Sequence, residues 1–172
     1  MNLLIPKMYQ KNIYEINYEK LKREEIKCLL FDLDNTCVGF KEKNPTKELK
    51  KLFTKLTKQG FKVIIFSNAT KRRLNPFKSL NVIIHPNSKK PFKSSFKKIL
   101  KNYNYKKEEV CIIGDQLFTD ILGGNKVGIK TCLVEPITKE DFILTKINRK
   151  LEQIMFNRLA RKEILVKGVY YE

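Results

Sequence analysis

The residues of this chain whose types and spacing could do chemistry are Asp32, Asp34, Thr36, Ser67, Asn68, Lys90, Asp115 and Asp120. The first three fall in Phe31-Asp32-Leu33-Asp34-Asn35-Thr36, directly after the apolar run Cys28-Leu29-Leu30-Phe31. Two carboxylates at the end of a buried strand stabilise nothing by themselves, because desolvating each costs several kcal/mol. Something positive must answer them, and a divalent metal is the obvious group. Asp-x-Asp-x-Thr on its own reads as readily as a turn with an Asx cap, so the rest of the set decides. Ser67-Asn68 closes a second apolar run, Lys90 follows a third, and Gly114-Asp115 ends a fourth, with Asp120 just beyond. Three or more carboxylates with a hydroxyl and an amine suit phosphoryl chemistry with Mg²⁺. Asp32 and Asp115 can hold the ion, while Lys90 and Ser67 neutralise the phosphate oxygens. One carboxylate of the first pair can then attack phosphorus and form an aspartyl-phosphate. The other, two residues on, can protonate the leaving oxygen and later activate water.

Such a set is useful only if the strand ends meet. Apolar β-rich runs at 28–31, 61–66, 82–84, 110–113 and 129–134 alternate with helix-period stretches at about 46–59, 71–80, 94–101 and 120–126. Thr46 is placed to cap the first of these helices and Gly60 to end it. That order predicts an α/β fold, a parallel sheet with helices on both faces, whose C-terminal strand ends share one crevice. Residues 1–26 read as a lead-in that packs on the sheet, and Gly123-Gly124 as close helix–strand packing. The longest periodic run, 139–163, puts Ile143, Leu144, Ile147, Leu151, Ile154 and Met155 on one face and Lys146, Arg149, Lys150, Gln153 and Asn157 on another, with Phe156 and Leu159 off the stripe. It reads as a helix covering the sheet or as a basic amphipathic element for an anionic membrane. Residues 164–170 suggest a terminal edge strand.

A chain of 172 residues with 42% hydrophobic and 10% aromatic content predicts one globular domain over 1–172, with 1–26 as lead-in and 139–172 as a C-terminal helix and tail. No apolar run reaches the length of a membrane span, and the start lacks the pattern of a secretory signal. Cys28, Cys37, Cys111 and Cys132 show no C-x-x-C pairing and read as buried packing residues in a reducing compartment, which fits the cytoplasm. The net charge of +18 suggests nucleic acid, anionic lipid or acidic substrates. Its lysines, however, are spread over every segment without an Arg-rich arm or aromatic interleaving, as in a Lys-rich coding bias. His85 is the sole histidine, so no His-based triad or paired-His metal site exists; it reads as a loop residue or a substrate contact.

Asp32-x-Asp34-Asn35-Thr36, Ser67-Asn68, Lys90-Pro91 and Gly114-Asp115-x-x-x-x-Asp120 resemble, in order, the four motifs of the haloacid dehalogenase-like (HAD) phosphohydrolases. The longer run Gly114 to Asn125 resembles the YqeG subfamily of subclass IIIA, whose relatives include phosphatidylglycerophosphate phosphatases. Ile5-Pro6, Tyr9, Ile13 and Ile26-Lys27 extend the similarity to roughly residues 5–160. Cys37 departs from it, standing where the family usually has Leu. The resemblance implies a Rossmann-like core and Mg²⁺. It implies Asp32 as nucleophile and metal ligand, Asp34 as acid/base with its backbone carbonyl on the metal, and Thr36 as the residue orienting the loop. Ser67 and Asn68 match the phosphate-binding motif, Lys90 rather than Lys89 the third motif, Asp115 a metal ligand, and Asp120 a supporting acid or a helix N-terminal charge. The gaps 37–45 and 69–89 are too short for the cap domain that many such enzymes carry. An open crevice suits a bulky or membrane-surface phosphate such as phosphatidylglycerophosphate, with peripheral contact to an anionic membrane. The alternatives are a soluble metabolite, nucleotide or phosphoprotein, or a basic RNA- or ribosome-binding module with a vestigial site.

Overall fold

The structure, a computed structural model, describes residues 3–138 and 143–172, with the helical backbone alone at 143–149. Six parallel strands form one sheet: β1 (Met8–Gln10), β2 (Cys28–Phe31), β3 (Lys62–Phe66), β4 (Ile83–His85), β5 (Val110–Gly114) and β6 (Lys130–Val134). Their spatial order is β1-β6-β5-β2-β3-β4. All four residues of β2 are buried, as a strand covered on both faces requires. Cys28 and Leu30 point to a core with Ile64, Phe66, Phe96 and Ile112. Leu29 and Phe31 point to the opposite core, with Leu49, Phe53, Ile65 and Ile113. Burying side chains of this size stabilises the fold by about 1.5–3 kcal/mol each.

The helices are α1 (Tyr18–Arg23), α2 (Lys47–Lys58), α3 (Lys71–Leu74), α4 (Lys93–Asn102), α5 (Leu122–Val127) and α6 (Ile143–Ala160). In α2, Thr46 Oγ1 accepts from Leu49 N at 3.1 Å, the apolar stripe Leu49, Phe53 and Leu56 is buried, and Gly60 turns the chain at φ 93°. The expected basic helix at 71–80 divides into α3 and a 3-10 turn over Asn75–Leu80, with Pro at its first turn. Gly123 and Gly124 allow the close packing expected of them. A Cβ on Gly123 would lie 2.4 Å from the Phe96 ring, and one on Gly124 2.6 Å from Ile112 and Thr131.

The two ends of the chain differ from the sequence expectation. The lead-in supplies an edge strand, β1, which pairs with β6 (Met8 opposite Cys132). Residues 164–170 form no strand. Gly168, at φ 78°, turns the chain, and one antiparallel bridge joins Tyr171 to the outer side of Tyr9. Helix α6 covers the sheet on a face rotated from the expected stripe. Leu159 is 3% exposed and Glu152 is buried, while Met155 and Phe156 pack against Tyr9, Leu117, Ile121, Leu133 and Leu165. Leu151 and Ile154 stay outside, 51% and 53% exposed. Expectations for 139–142, and for the side chains of Ile143, Leu144, Lys146, Ile147 and Arg149, lie outside the described residues.

From β2 the chain steps one way to β3 and β4, then returns to the other side of β2 for β5 and β6. That reversal opens a crevice beyond the C-terminal ends of β2 and β5. Register brings Asp32 beside Gly114, since Phe31 pairs with Ile113 and Asp32 N donates to Ile113 O at 2.9 Å. Among the described residues only a turn-rich loop lies between β2 and α2, and only α3 and the 3-10 turn between β3 and β4, so no cap domain covers this edge. No helix among the described residues is long and apolar enough to cross a membrane.

Candidate active site

A buried ion triad occupies the crevice. Lys90 Nζ lies 2.6 Å from Asp32 Oδ1 and 2.6 Å from Asp120 Oδ1. Burial alone would lower the Lys90 ammonium, but Asp120 and Asp32 outweigh it and hold Lys90 above its usual range. The cation therefore stays charged at neutral pH. Burial pushes Asp120 up to about 7, with a further push from Asp32 and Asp115, against the pull of Lys90. Oxygens of Asp32, Asp115 and Asp120 lie within 4.8 Å of one another, a group able to hold a cation. Thr36 Oγ1 donates to Asp115 Oδ1 at 2.7 Å, so Thr36 ties the β2 loop to the β5 loop.

Asp34 is placed apart from these three. Its Oδ1 accepts from Arg73 Nε at 3.0 Å and Nη2 at 2.7 Å. Burial raises the Asp34 carboxyl, Arg73 draws it down, and Asp32 raises it further. The Asn35 backbone takes the left-handed conformation, φ 64°, and the Asn35 side chain accepts from Thr138 N and Oγ1. This latches the loop after β6 to the β2 loop.

Ser67 and Asn68 leave β3 beside the same crevice. Ser67 Oγ accepts from Ala69 N at 3.2 Å. The Asn68 amide clamps the peptide of Lys90: Oδ1 accepts from Lys90 N at 2.7 Å and Nδ2 donates to Lys90 O at 3.0 Å. Asn68 thereby fixes the backbone from which Lys90 reaches inward. His85 lies between Phe66 and Tyr103, with ring centroids 6.3 and 6.4 Å away. The four cysteines are buried and free; Cys37 sits behind the β2 loop, its thiol pushed up by burial and so poorly reactive.

Asp120 lies on a π-helical turn, Leu117–Ile121, rather than on the helix proper, which begins at Leu122. Its own N–H and that of Ile121 both donate to Gln116 O, at 3.1 and 3.3 Å. The bulge turns the Asp120 side chain back over β5, where Oδ2 accepts from Gln116 N at 3.2 Å. Two residues that sequence reasoning did not single out complete this region. Glu152 of α6 accepts from Phe118 N at 3.1 Å and anchors the turn, and Arg73 holds Asp34. Glu152 is the one acidic residue of the basic stretch 143–160, and that was the available signal for it. Arg73 had none that set it apart from the other basic residues.

Gly114 is required by this geometry, because a Cβ there would lie 2.2 Å from Asp120 Cγ. Gly114→Ala is expected to displace Asp120, destabilise the fold by about 1–3 kcal/mol through overpacking, and lower phosphate release by disturbing Lys90. Urea denaturation alongside a phosphate assay checks both; a variant with parental stability and rate would mean the turn yields freely.

The HAD-hydrolase-like family profile matches residues 88–139, the segment that carries Lys90, Asp115 and Asp120. A probable phosphatase of Bacillus subtilis, YqeG, is 38% identical over 92% of this chain and 92% of its own length. A chloroplast and mitochondrial phosphatidylglycerophosphate phosphatase of Arabidopsis thaliana is 28% identical over 92% of this chain, which spans 49% of that protein. Among solved structures, the HAD hydrolase YfnB of Bacillus subtilis, with magnesium bound, superposes with a TM-score of 0.51 at 17% identity, covering 69% of this chain and 91% of that one. The last of these speaks to the fold alone; the first relative, alike over nearly its whole length, decides the family. The chain belongs to the HAD superfamily of phosphatases, in the family of YqeG.

Proposed function

We propose that the protein is a Mg²⁺-dependent phosphomonoesterase working through an aspartyl-phosphate on Asp32, with a bulky or membrane-surface substrate such as phosphatidylglycerophosphate. The observation that carries this reading is the Lys90 ammonium held between Asp32 and Asp120 beside Asp115, at the switch point of a parallel sheet. Asp32 and Asp115 offer oxygen donors of the kind Mg²⁺ takes, close together at a wall of buried strands. When bound, the ion supplies positive charge to the phosphate oxygens and fixes the group for in-line attack. Lys90 Nζ adds a second positive charge and holds Asp32 by Oδ1. That leaves Oδ2, which takes no hydrogen bond among the described residues, to form the bond to phosphorus as the ester P–O bond breaks. Asp34 gives its proton to the departing oxygen. It then takes one from water, which attacks the phosphoryl group and returns Asp32 to the free carboxylate.

Two features support the bulky substrate. The crevice has no cap among the described residues, and the Arabidopsis relative bears the name of a phosphatidylglycerophosphate phosphatase. The exposed Leu151 and Ile154 of α6, flanked by exposed Lys150 and Arg158, add apolar and basic groups of the kind that meet anionic lipid. The deciding experiment is a phosphate-release screen with Mg²⁺ over lipid micelles, soluble esters, nucleotides and phosphopeptides. Release from the lipid above the soluble compounds is expected; release from none of them overturns the proposal.

The ion is testable without turnover. At about 100 times its dissociation constant, Mg²⁺ should stabilise the fold by about 2.7 kcal/mol, which raises Tm by roughly 5–11 °C for a chain of this size. Asp115→Asn should lose most of that rise. A parental Tm that ignores Mg²⁺ would remove the metal from the mechanism.

A further inference from the structure

Arg73 is held in a way that leaves part of it unused. Two of its N–H groups, on Nε and Nη2, converge on one oxygen of Asp34, at 3.0 and 2.7 Å. Asp34 Oδ2 and Arg73 Nη1 take no hydrogen-bonding partner among the described residues. The guanidinium carbon lies 5.3 Å from the centre of the Phe77 ring, and Phe77 is fully buried, so the cation rests on a fixed aromatic face. Thr70 Oγ1 accepts from Arg73 N at 3.3 Å, which fixes the backbone at the start of α3. The side chains of Arg73 and Asp34 are 17% and 15% exposed, so the pair opens to solvent at the mouth of the crevice.

We infer that Arg73 is a specificity-determining residue: it pins Asp34 by one oxygen and presents its spare N–H groups to a second anionic group on the alcohol part of the substrate. This deepens the phosphomonoesterase reading and rests on it, because the leaving alcohol must lie beside Asp34. Whatever that alcohol carries close to the scissile ester meets the guanidinium next. A planar cation with free N–H groups at its edge fits a phosphate or phosphodiester better than a hydroxyl or an acyl chain. The preferred substrate class is therefore a phosphomonoester with a second phosphoryl group nearby. A lipid headgroup with a phosphodiester and a free bisphosphate share that chemistry.

The test compares kcat and KM on glycerol phosphate, on glycerol bisphosphate, and on phosphatidylglycerophosphate in mixed micelles. The parent should favour the two doubly charged substrates. Arg73→Gln should lower the ratio of kcat/KM between doubly and singly charged substrates by about 10- to 100-fold, mostly through KM, as loss of hydrogen bonds to a charged group predicts. Arg73→Lys should recover part of that ratio. The arm with the larger parental preference identifies the source of the second anion. Equal loss on all three substrates, or a parent that does not distinguish them, overturns the inference while leaving the phosphatase reading intact. If the parent releases phosphate from none of the three, calorimetric binding of glycerol bisphosphate decides the matter. Binding that weakens at least tenfold in Arg73→Gln supports the role of Arg73, and unchanged binding refutes it.

Discussion

Asp32→Asn is expected to fold and to release phosphate at least about 10³-fold more slowly than the parent, the scale typical of losing a nucleophile. The amide keeps the shape of the carboxylate but lacks the charge that, in the proposed mechanism, attacks phosphorus and answers a metal. Lys90 retains Asp120 at 2.6 Å, so the buried ammonium is not stranded. Phosphate release and thermal unfolding, measured on one preparation, separate chemistry from folding. Residual turnover above about 1% would remove the covalent mechanism.

Lys90→Met should cost both activity and stability. The ammonium sits between two buried carboxylates, and removing one member of a buried ion pair costs about 3–5 kcal/mol because the remaining charge has no answer. Methionine fills a similar volume, which limits the loss from packing. The deficit should depend on pH. Asp120 is already pushed up by burial, and without Lys90 it rises further. A carboxyl raised in the folded state binds its proton more tightly there than when unfolded. Its stabilising contribution is therefore complete below the unfolded value near 4 and is lost as pH rises through the folded value. Urea titrations at pH 5 and pH 8 should show the larger deficit at pH 8. A deficit equal at both, or larger at pH 5, would mean that Asp120 does not carry the penalty.

Asp32 and Asp115 were legible in the sequence because each follows an apolar run that reads as a buried strand. A charge there has few structural uses, so both stand out by contrast, whereas Lys90, beside Lys89, was singled out by the resemblance of Lys90-Pro91 to the third family motif. Arg73 offers no such contrast. It lies in Lys71-Arg72-Arg73, and the chain has 36 lysines and arginines, so its engagement with Asp34 becomes visible only when α3 is laid beside the β2 loop. The α6 face was misread for a related reason. Apolar residues fall on more than one side of that helix, and the period alone cannot choose between them. The choice is made by Phe118 N, which draws Glu152 inward, and by the Tyr9 ring, whose centre lies 6.1 Å from that of Phe156. Both partners are distant in sequence. β1 was missed because three residues are too few to show an alternation.

The pairing of β1 with β6 also sets an order of events during translation. Met8, Tyr9 and Gln10 leave the ribosome well before their partners Cys132, Leu133 and Val134, which follow 124 positions later. At bacterial and eukaryotic elongation rates of about 5–20 residues per second, that interval lasts roughly 6–25 s. Throughout it, two of the most deeply buried side chains of the finished protein, Met8 and Tyr9, have no sheet to join. The central strands β2, β3 and β4 can pair meanwhile. The edge strand β1 can therefore take its place in the sheet only after β6 has been made.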